Sequence, residues 1–269
     1  MPILPSVHRA LTDRLRRAGC VYAEEEARIL LDRASDAGEL ELLVQRRVSG
    51  VPLEHVVGWA GFDGRRVLVA PSVFVPRRRT ELLVDLACEN LPPSAVVVDL
   101  CCGSGAIAAA IAARRPDAEI HATDIDADAV ACARRNLSGP GCRVWQGDLL
   151  DGLPSDLLGR VSVVVANAPY VPTSGLGLMP GEARQYEKQL SLDGGPDGLD
   201  PHRRIIGDLR RWLTPRGTFI VEVSQRQTGA LQSLLRLHGF RAHVAEDEHR
   251  DATALVSNPR RADDGGDRQ

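Results

Sequence analysis

The sequence predicts an α/β fold in which a mainly parallel, doubly wound sheet follows a small helical region and a β-hairpin. Three observations lead there. From Thr80 onward, short runs rich in Val, Ile and Phe alternate with helical stretches, the pattern of βαβ units and of a parallel sheet covered on both faces. The first fifty residues have helical periodicity and few strand formers. Between the two, glycines at 58, 61 and 64 separate short runs of Val, Trp and Phe, as a hairpin requires.

Taken in order, "AEEEARILLDRA" (23–34) sets Ala27, Leu30 and Leu31 on one helical face, with acids in the first turn. The hairpin is expected within "HVVGWAGFDGRRVLVAPSVFVP", ending at Pro76, which places a small helical domain with its hairpin at 1–76 and the sheet domain at 77–258. Strands are expected at 95–100, 118–124, 142–148, 161–167 and 218–224, with weaker ones at 240–247 and 252–258 forming an antiparallel edge hairpin. Helices are expected at 105–115, 127–137, 201–213 and 227–238. The polar tail, 259–269, reads as disordered.

At 269 residues with 43% hydrophobic and 26% charged content, the chain suits a soluble globular protein with one sizeable core and a smaller module. A net charge of −3 argues against a large nucleic-acid footprint, which needs a strongly basic face. Six cysteines (20, 88, 101, 102, 132 and 142) form no C-x-x-C pair and no zinc spacing, so reduced thiols, no metal and a cytoplasmic location are expected. The longest uncharged run is too short to span a bilayer. A monomer is expected.

The chemistry starts at "VVVDLCCGSGAIAAAI", a strand, a glycine turn and a helix. Gly103 and Gly105 let the backbone approach a ligand, and the helix start behind them offers unpaired N–H groups. Asp124, at the end of the next strand, is placed to accept two ribose hydroxyls, and Asp148, ending the third, to meet an adenine amino group. Gly103, Gly105 and Ala108 also satisfy the dinucleotide pattern G-x-G-x-x-A. Asp99 favours one of the two cofactors: it would repel a pyrophosphate but suits the cationic sulfonium of S-adenosylmethionine.

A second signal is "VVVANAPYVP", a buried strand that stops on a carboxamide, a proline and a phenol (163–172). Pro169 forces Ala168 into an extended conformation, so its carbonyl cannot fold back into a helix. That carbonyl and the Asn167 side-chain oxygen make two acceptors for one –NH₂ group, with the Tyr170 ring packing on a planar amide or base. The alternative is a turn that merely stops a strand.

With these residues in view, the chain resembles the HemK/PrmC-like protein-(glutamine-N5) methyltransferases, whose motif here is N-P-P-Y. "FVPRRRTELLV" is similar to the family's "LIPRPETE", "DLCCGSGAIA" to its methyl-donor motif, "EARQYEKQLSLDGGPDGLDPHRRII" to its R-x-Y-E-P stretch with the following glycines, and "LTPRGTFIVEVSQRQ" to its C-terminal signature. The resemblance implies a Rossmann-like class I S-adenosylmethionine-dependent methyltransferase fold. It implies transfer of a methyl group to the side-chain amide of a glutamine in a protein, a release factor or a ribosomal protein. By position, Asp99, Cys101, Gly103, Gly105, Asp124, Asp148 and Asn167 would contact the donor. Asn167, Ala168, Pro169 and Tyr170 would hold the amide, with Arg77, Glu81 and Glu187 on the substrate side. Glu222, inside a strand, reads as a buried structural acid. Ala168, Cys101 and Lys188 depart from the family's residues, as do Arg78 and Arg79 in the substrate-side loop, the marks of a divergent paralogue. Methylation of a small molecule or an adenine, cofactor binding without catalysis, and nicotinamide oxidoreduction remain the alternatives.

Overall fold

The computed structural model describes residues 5–89 and 91–260. Four helices lead: α1 (Pro5–Arg17), α2 (Ala23–Arg33), α3 (Ala37–Val48) and α4 (Leu53–Val57). Their apolar stripes close on one another around Leu11, Leu15, Ala27, Leu30 and Val44, a separate small core. Asp36 caps α3 by accepting the Glu39 N–H at 2.8 Å, and Gly58 ends α4 in the left-handed region. The expected hairpin is β1 (Trp59–Phe62) with β2 (Arg65–Leu68), antiparallel, with Phe62 opposite Arg65. Its inward residues Phe62 and Val67 belong to the main core, so the hairpin lies against the sheet domain while the helices keep their own interior.

After α5 (Glu81–Glu89), helices and strands alternate: β3 (Val96–Leu100), α6 (Ala106–Arg114), β4 (Glu119–Asp124), α7 (Ala127–Asn136), β5 (Cys142–Gln146), β6 (Val161–Ala166), α8 (Gly181–Tyr186), α9 (Asp200–Trp212), β7 (Leu213–Glu222), α10 (Thr228–Leu237), β8 (Phe240–Asp247) and β9 (Ala252–Pro259). The sheet order is β5-β4-β3-β6-β7-β9-β8. The pairs β3–β4, β4–β5, β3–β6 and β6–β7 are parallel, and β9 is antiparallel to both β7 and β8, the expected edge hairpin. The chain leaves β3 toward β5 and then returns to β6 on the other side. The crevice at that reversal is where open α/β sheets bind ligands.

Strand alternation divides the core. Val97, Val163, Val165 and Ile220 face α5 and α6, whereas Val98, Leu100, Val164 and Val221 face α9 and α10. The predicted elements form within a residue or two of their expected bounds, except that β7 begins earlier, at Leu213. Of the tail, Pro259 closes β9 and Arg260 donates to the Gly239 carbonyl at 2.9 Å; residues 261–269 lie outside the described residues. No helix among the described residues is long and apolar enough to cross a membrane.

Candidate active site

One cavity opens beyond the carboxyl ends of β3, β4 and β6. Its donor side is lined by Cys101, Gly103, Asp124, Ile125, Asp148 and Leu149, and its acceptor side by Arg77, Arg79, Asn167, Ala168, Pro169 and Tyr170. The two signals read separately in the sequence thus share one space.

On the donor side the backbone makes the cradle. Gly103 has φ +53, and its N–H donates to Asp124 at 2.9 Å; the other Asp124 oxygen takes the Asp126 N–H at 2.9 Å. Burial raises the Asp124 carboxyl, and these N–H groups offset part of that rise. Ile125, nearly half exposed, and Leu149 give the apolar walls a planar base requires. Asp148 lies at the rim and accepts from Arg204 at 2.7 Å. Cys101 holds φ +55, a left-handed conformation that favours glycine, and burial pushes its thiol up.

Four expected site residues lie elsewhere. Asp99 alternates onto the α6 face, not into the cavity. It is fully buried, and its Oδ2 accepts the Ala108 N–H at 3.1 Å, which satisfies one free donor of the α6 start. Burial pushes its carboxyl up to about 8, so the attraction of a fixed anion for the sulfonium is not what this residue supplies. Its Oδ1 has no partner among the described residues, an orphaned oxygen directly behind the cradle. Gly105, φ +76, does not line the cavity either: a Cβ there would press on Ala133 of α7 and on Leu137 just past its end, so the glycine serves close packing. Glu81 accepts from Asp63 N–H at 2.9 Å in the hairpin turn and pairs with Arg250 at 3.7 Å, away from the substrate side. Glu187 is buried and pairs with Arg77, whose guanidinium lies 5.0 Å from the Phe74 ring centroid, so the acid acts by holding Arg77.

The acceptor side is cross-linked. The register pairs Ala166 of β6 with Val221 of β7, so Asn167 and Glu222 follow as neighbours on the face covered by α5. Thr80, at the start of α5, sits between them: Asn167 Nδ2 donates to Thr80 Oγ1 at 3.2 Å, and Thr80 donates to Glu222 Oε2 at 2.6 Å. Arg79 donates to Glu222 Oε1 at 3.0 Å and to the Tyr170 hydroxyl at 2.7 Å. Burial pushes the Tyr170 phenol up to about 12. Gln227 holds the Tyr170 carbonyl at 2.9 Å, and Gly198, φ +79, lies so close that a Cβ would fall on that carbonyl. Among the described residues, no protein donor reaches Asn167 Oδ1 or the Ala168 carbonyl. From the strap that follows, Lys188 reaches Asp126 and Asp128, each at 2.7 Å.

Thr80, Gln227 and the Arg79 bridge escaped the sequence reading, although "PRRRTE" and "SQRQ" lie in stretches quoted for the resemblance. No group of three or more metal-ligating side chains occurs among the described residues.

The description "Methyltransferase small domain" matches residues 66–177. A release factor glutamine methyltransferase of Mycobacterium leprae is 38% identical over 261 residues, covering 95% of this chain and 85% of that protein. The chain belongs to the release factor glutamine methyltransferase family. It is accordingly an S-adenosylmethionine-dependent methyltransferase, and the Gly103–Asp124 cradle and the apolar walls of the cavity fit that donor. Another relative, a 4-amino-L-phenylalanine/4-methylamino-L-phenylalanine methyltransferase of Streptomyces pristinaespiralis, is 35% identical, covering 75% of this chain and 71% of that one. A solved methyltransferase structure from Pyrococcus furiosus agrees in fold, with a TM-score of 0.55 at 14% identity, covering 72% of this chain and 88% of that one.

Proposed function

We propose that the protein methylates the side-chain amide nitrogen of a glutamine in a protein, a peptide chain release factor by the names of its relatives. The observation that carries this reading is that Asn167 and Ala168 both line the donor cavity and that Asn167 Oδ1 and the Ala168 carbonyl have no protein donor of their own among the described residues. A primary carboxamide has two N–H hydrogens and needs two acceptors.

When bound, S-adenosylmethionine supplies an electrophilic methyl group on a sulfonium. The chain does the rest. Asn167 and Ala168 accept the two amide hydrogens, drawing electron density toward nitrogen and turning its lone pair along one direction. Holding the nucleophile aligned is worth up to about 7–11 kcal/mol of barrier. Tyr170 and Pro169 cover the plane of the amide, and Ile125 and Leu149 keep water from the donor side. The nitrogen sheds its extra proton to solvent after the methyl arrives, so a strong base is not required. Arg77 also lines a second, more polar cleft beside the helical region, with Tyr22, Trp59 and Arg66, which gives a polypeptide acceptor a path to the cavity. Asp99 and Gly105 hold the packing behind the donor cradle and Glu187 holds Arg77, whereas Glu81 serves the hairpin turn; the contacts to donor and acceptor fall to the lining residues. The protein works in the cytoplasm.

The test is transfer of labelled methyl from S-adenosylmethionine to recombinant release factor, with peptide mass spectrometry to locate the label. Label on a glutamine side chain is expected. Label only on other residues, or on none, overturns the reading. A second reading has one observation of its own: Arg79 stands in the acceptor wall where the resembled family carries an acid, and a guanidinium there matches the carboxylate of a free amino acid bearing an –NH₂ group. Turnover of 4-amino-L-phenylalanine but not of release factor would favour it.

A further inference from the structure

A carboxamide's oxygen and nitrogen have the same shape, so which end of Asn167 faces the acceptor is decided by its hydrogen-bond partners. We propose that Glu222 and Thr80 are positioning residues that fix this choice, an inference that rests on the acceptor reading above. The proton count leaves one solution. Glu222, the ion-pair partner of Arg79, offers only acceptors to Thr80. The single Thr80 hydroxyl hydrogen therefore goes to Glu222 Oε2, 2.6 Å away. With that hydrogen spent, Thr80 Oγ1 can only accept from Asn167, at 3.2 Å. The group facing Thr80 must be the NH₂, and Oδ1 is turned into the cavity.

The other oxygen of the same carboxylate serves the other half of the clamp. Glu222 Oε1 accepts from Arg79 at 3.0 Å and from the Tyr170 hydroxyl at 3.3 Å, while that hydroxyl accepts from Arg79 at 2.7 Å. One acid, 3% exposed, thus sets both the polarity of the amide grip and the place of the ring above it. Each of its oxygens is satisfied, which is the condition for burying a carboxylate there.

Substitutions that keep shape but change protons test this. Thr80→Val removes the hydroxyl and frees Asn167 to present either end; kcat should fall about a hundredfold, while the Kd for S-adenosylhomocysteine stays at the wild-type value. Thr80→Ser, which keeps the Oγ, should restore most of the loss. Glu222→Gln should behave like Thr80→Val, because a carboxamide lets Thr80 donate to Asn167 instead. A purely structural role predicts that melting temperature and kcat fall together and that serine does not rescue. Neutron diffraction from the deuterated wild-type protein reads the orientation directly: deuterons are expected on the Asn167 atom facing Thr80. An oxygen there, or wild-type kcat in Thr80→Val, overturns the proposal. If the wild-type enzyme methylates no glutamine, the acceptor reading falls, and the neutron map still decides the orientation.

Discussion

The two sides of the cavity are built on opposite plans. The donor side comes from consecutive βα units, and its ligands are largely backbone groups and the aspartates at strand ends: Gly103, Asp124 and Asp148 follow β3, β4 and β5 in order. The acceptor side is assembled from distant pieces, with hydrogen bonds spanning 142 residues from Thr80 to Glu222, 91 from Arg79 to Tyr170 and 87 from Asn167 to Thr80. A local plan yields a cradle that many methyltransferases can share. A long-range plan makes the choice of acceptor depend on contacts between residues far apart in the chain, such as Arg79 with Glu222 and Tyr170.

This contrast can be broken at several points. The largest effect is expected at Asn167→Ala, which removes one of two acceptors: kcat should drop about a hundredfold or more with donor affinity nearly unchanged, as read by turnover and calorimetry. The reverse pattern is expected for Asp124→Ala. Loss of a charged hydrogen-bonding group costs about 1.5–3 kcal/mol, so the Kd for S-adenosylhomocysteine should rise about ten- to a hundredfold. If either variant lost donor affinity and kcat equally, the two sides would not be separable. Gly198→Ala probes how far the acceptor side depends on remote packing. A left-handed φ of +79 and a Cβ on the Tyr170 carbonyl should cost about 1–3 kcal/mol of stability, seen as a lowered melting temperature, and turnover should fall while donor binding holds.

A separate effect concerns pH and touches stability rather than turnover. Burial raises the Asp99 carboxyl to about 8, well above its value in an unfolded chain. Between the ordinary carboxylate range and about 8 the native state holds a proton that the unfolded state has lost, so this group makes stability fall as pH rises through that window. The slope is at most about 1.4 kcal/mol per pH unit. Asp99→Asn keeps the acceptor for Ala108 N–H and should flatten that part of the profile in urea titrations at successive pH values. His202 works at the opposite end, since burial holds its imidazole down at about 4 and stability from it is lost as pH drops below the ordinary histidine value. An Asp99→Asn profile that retains the full slope would place its origin elsewhere.

The same contrast explains what the sequence disclosed. Glycines before a helix and aspartates at strand ends are signals one reads along the chain, so the sheet, the cradle and Asn167 to Tyr170 were all visible. Parity was the information left unused. Asp99 is two residues beyond Val97 and therefore shares its face, under α6, rather than facing the cavity. Glu222 is two residues beyond Ile220 and shares its face under α5, where Thr80 and Arg79 wait; its place beside Asn167 needs the β6–β7 register, which no local pattern encodes. Glu81 and Glu187 misled for a related reason. Both lie in stretches that reach the site, yet their side chains turn to the hairpin and to Arg77.

Lys188 has a consequence for the reaction cycle. Its ammonium clasps Asp126 and Asp128 from across the cavity mouth, and both contacts are partly open to solvent. Lys188 and Asp126 both line the donor cavity, and ions screen such half-open contacts far more than the buried links around Glu222. Added salt should therefore hasten release of the by-product while leaving the methyl-transfer step itself almost untouched.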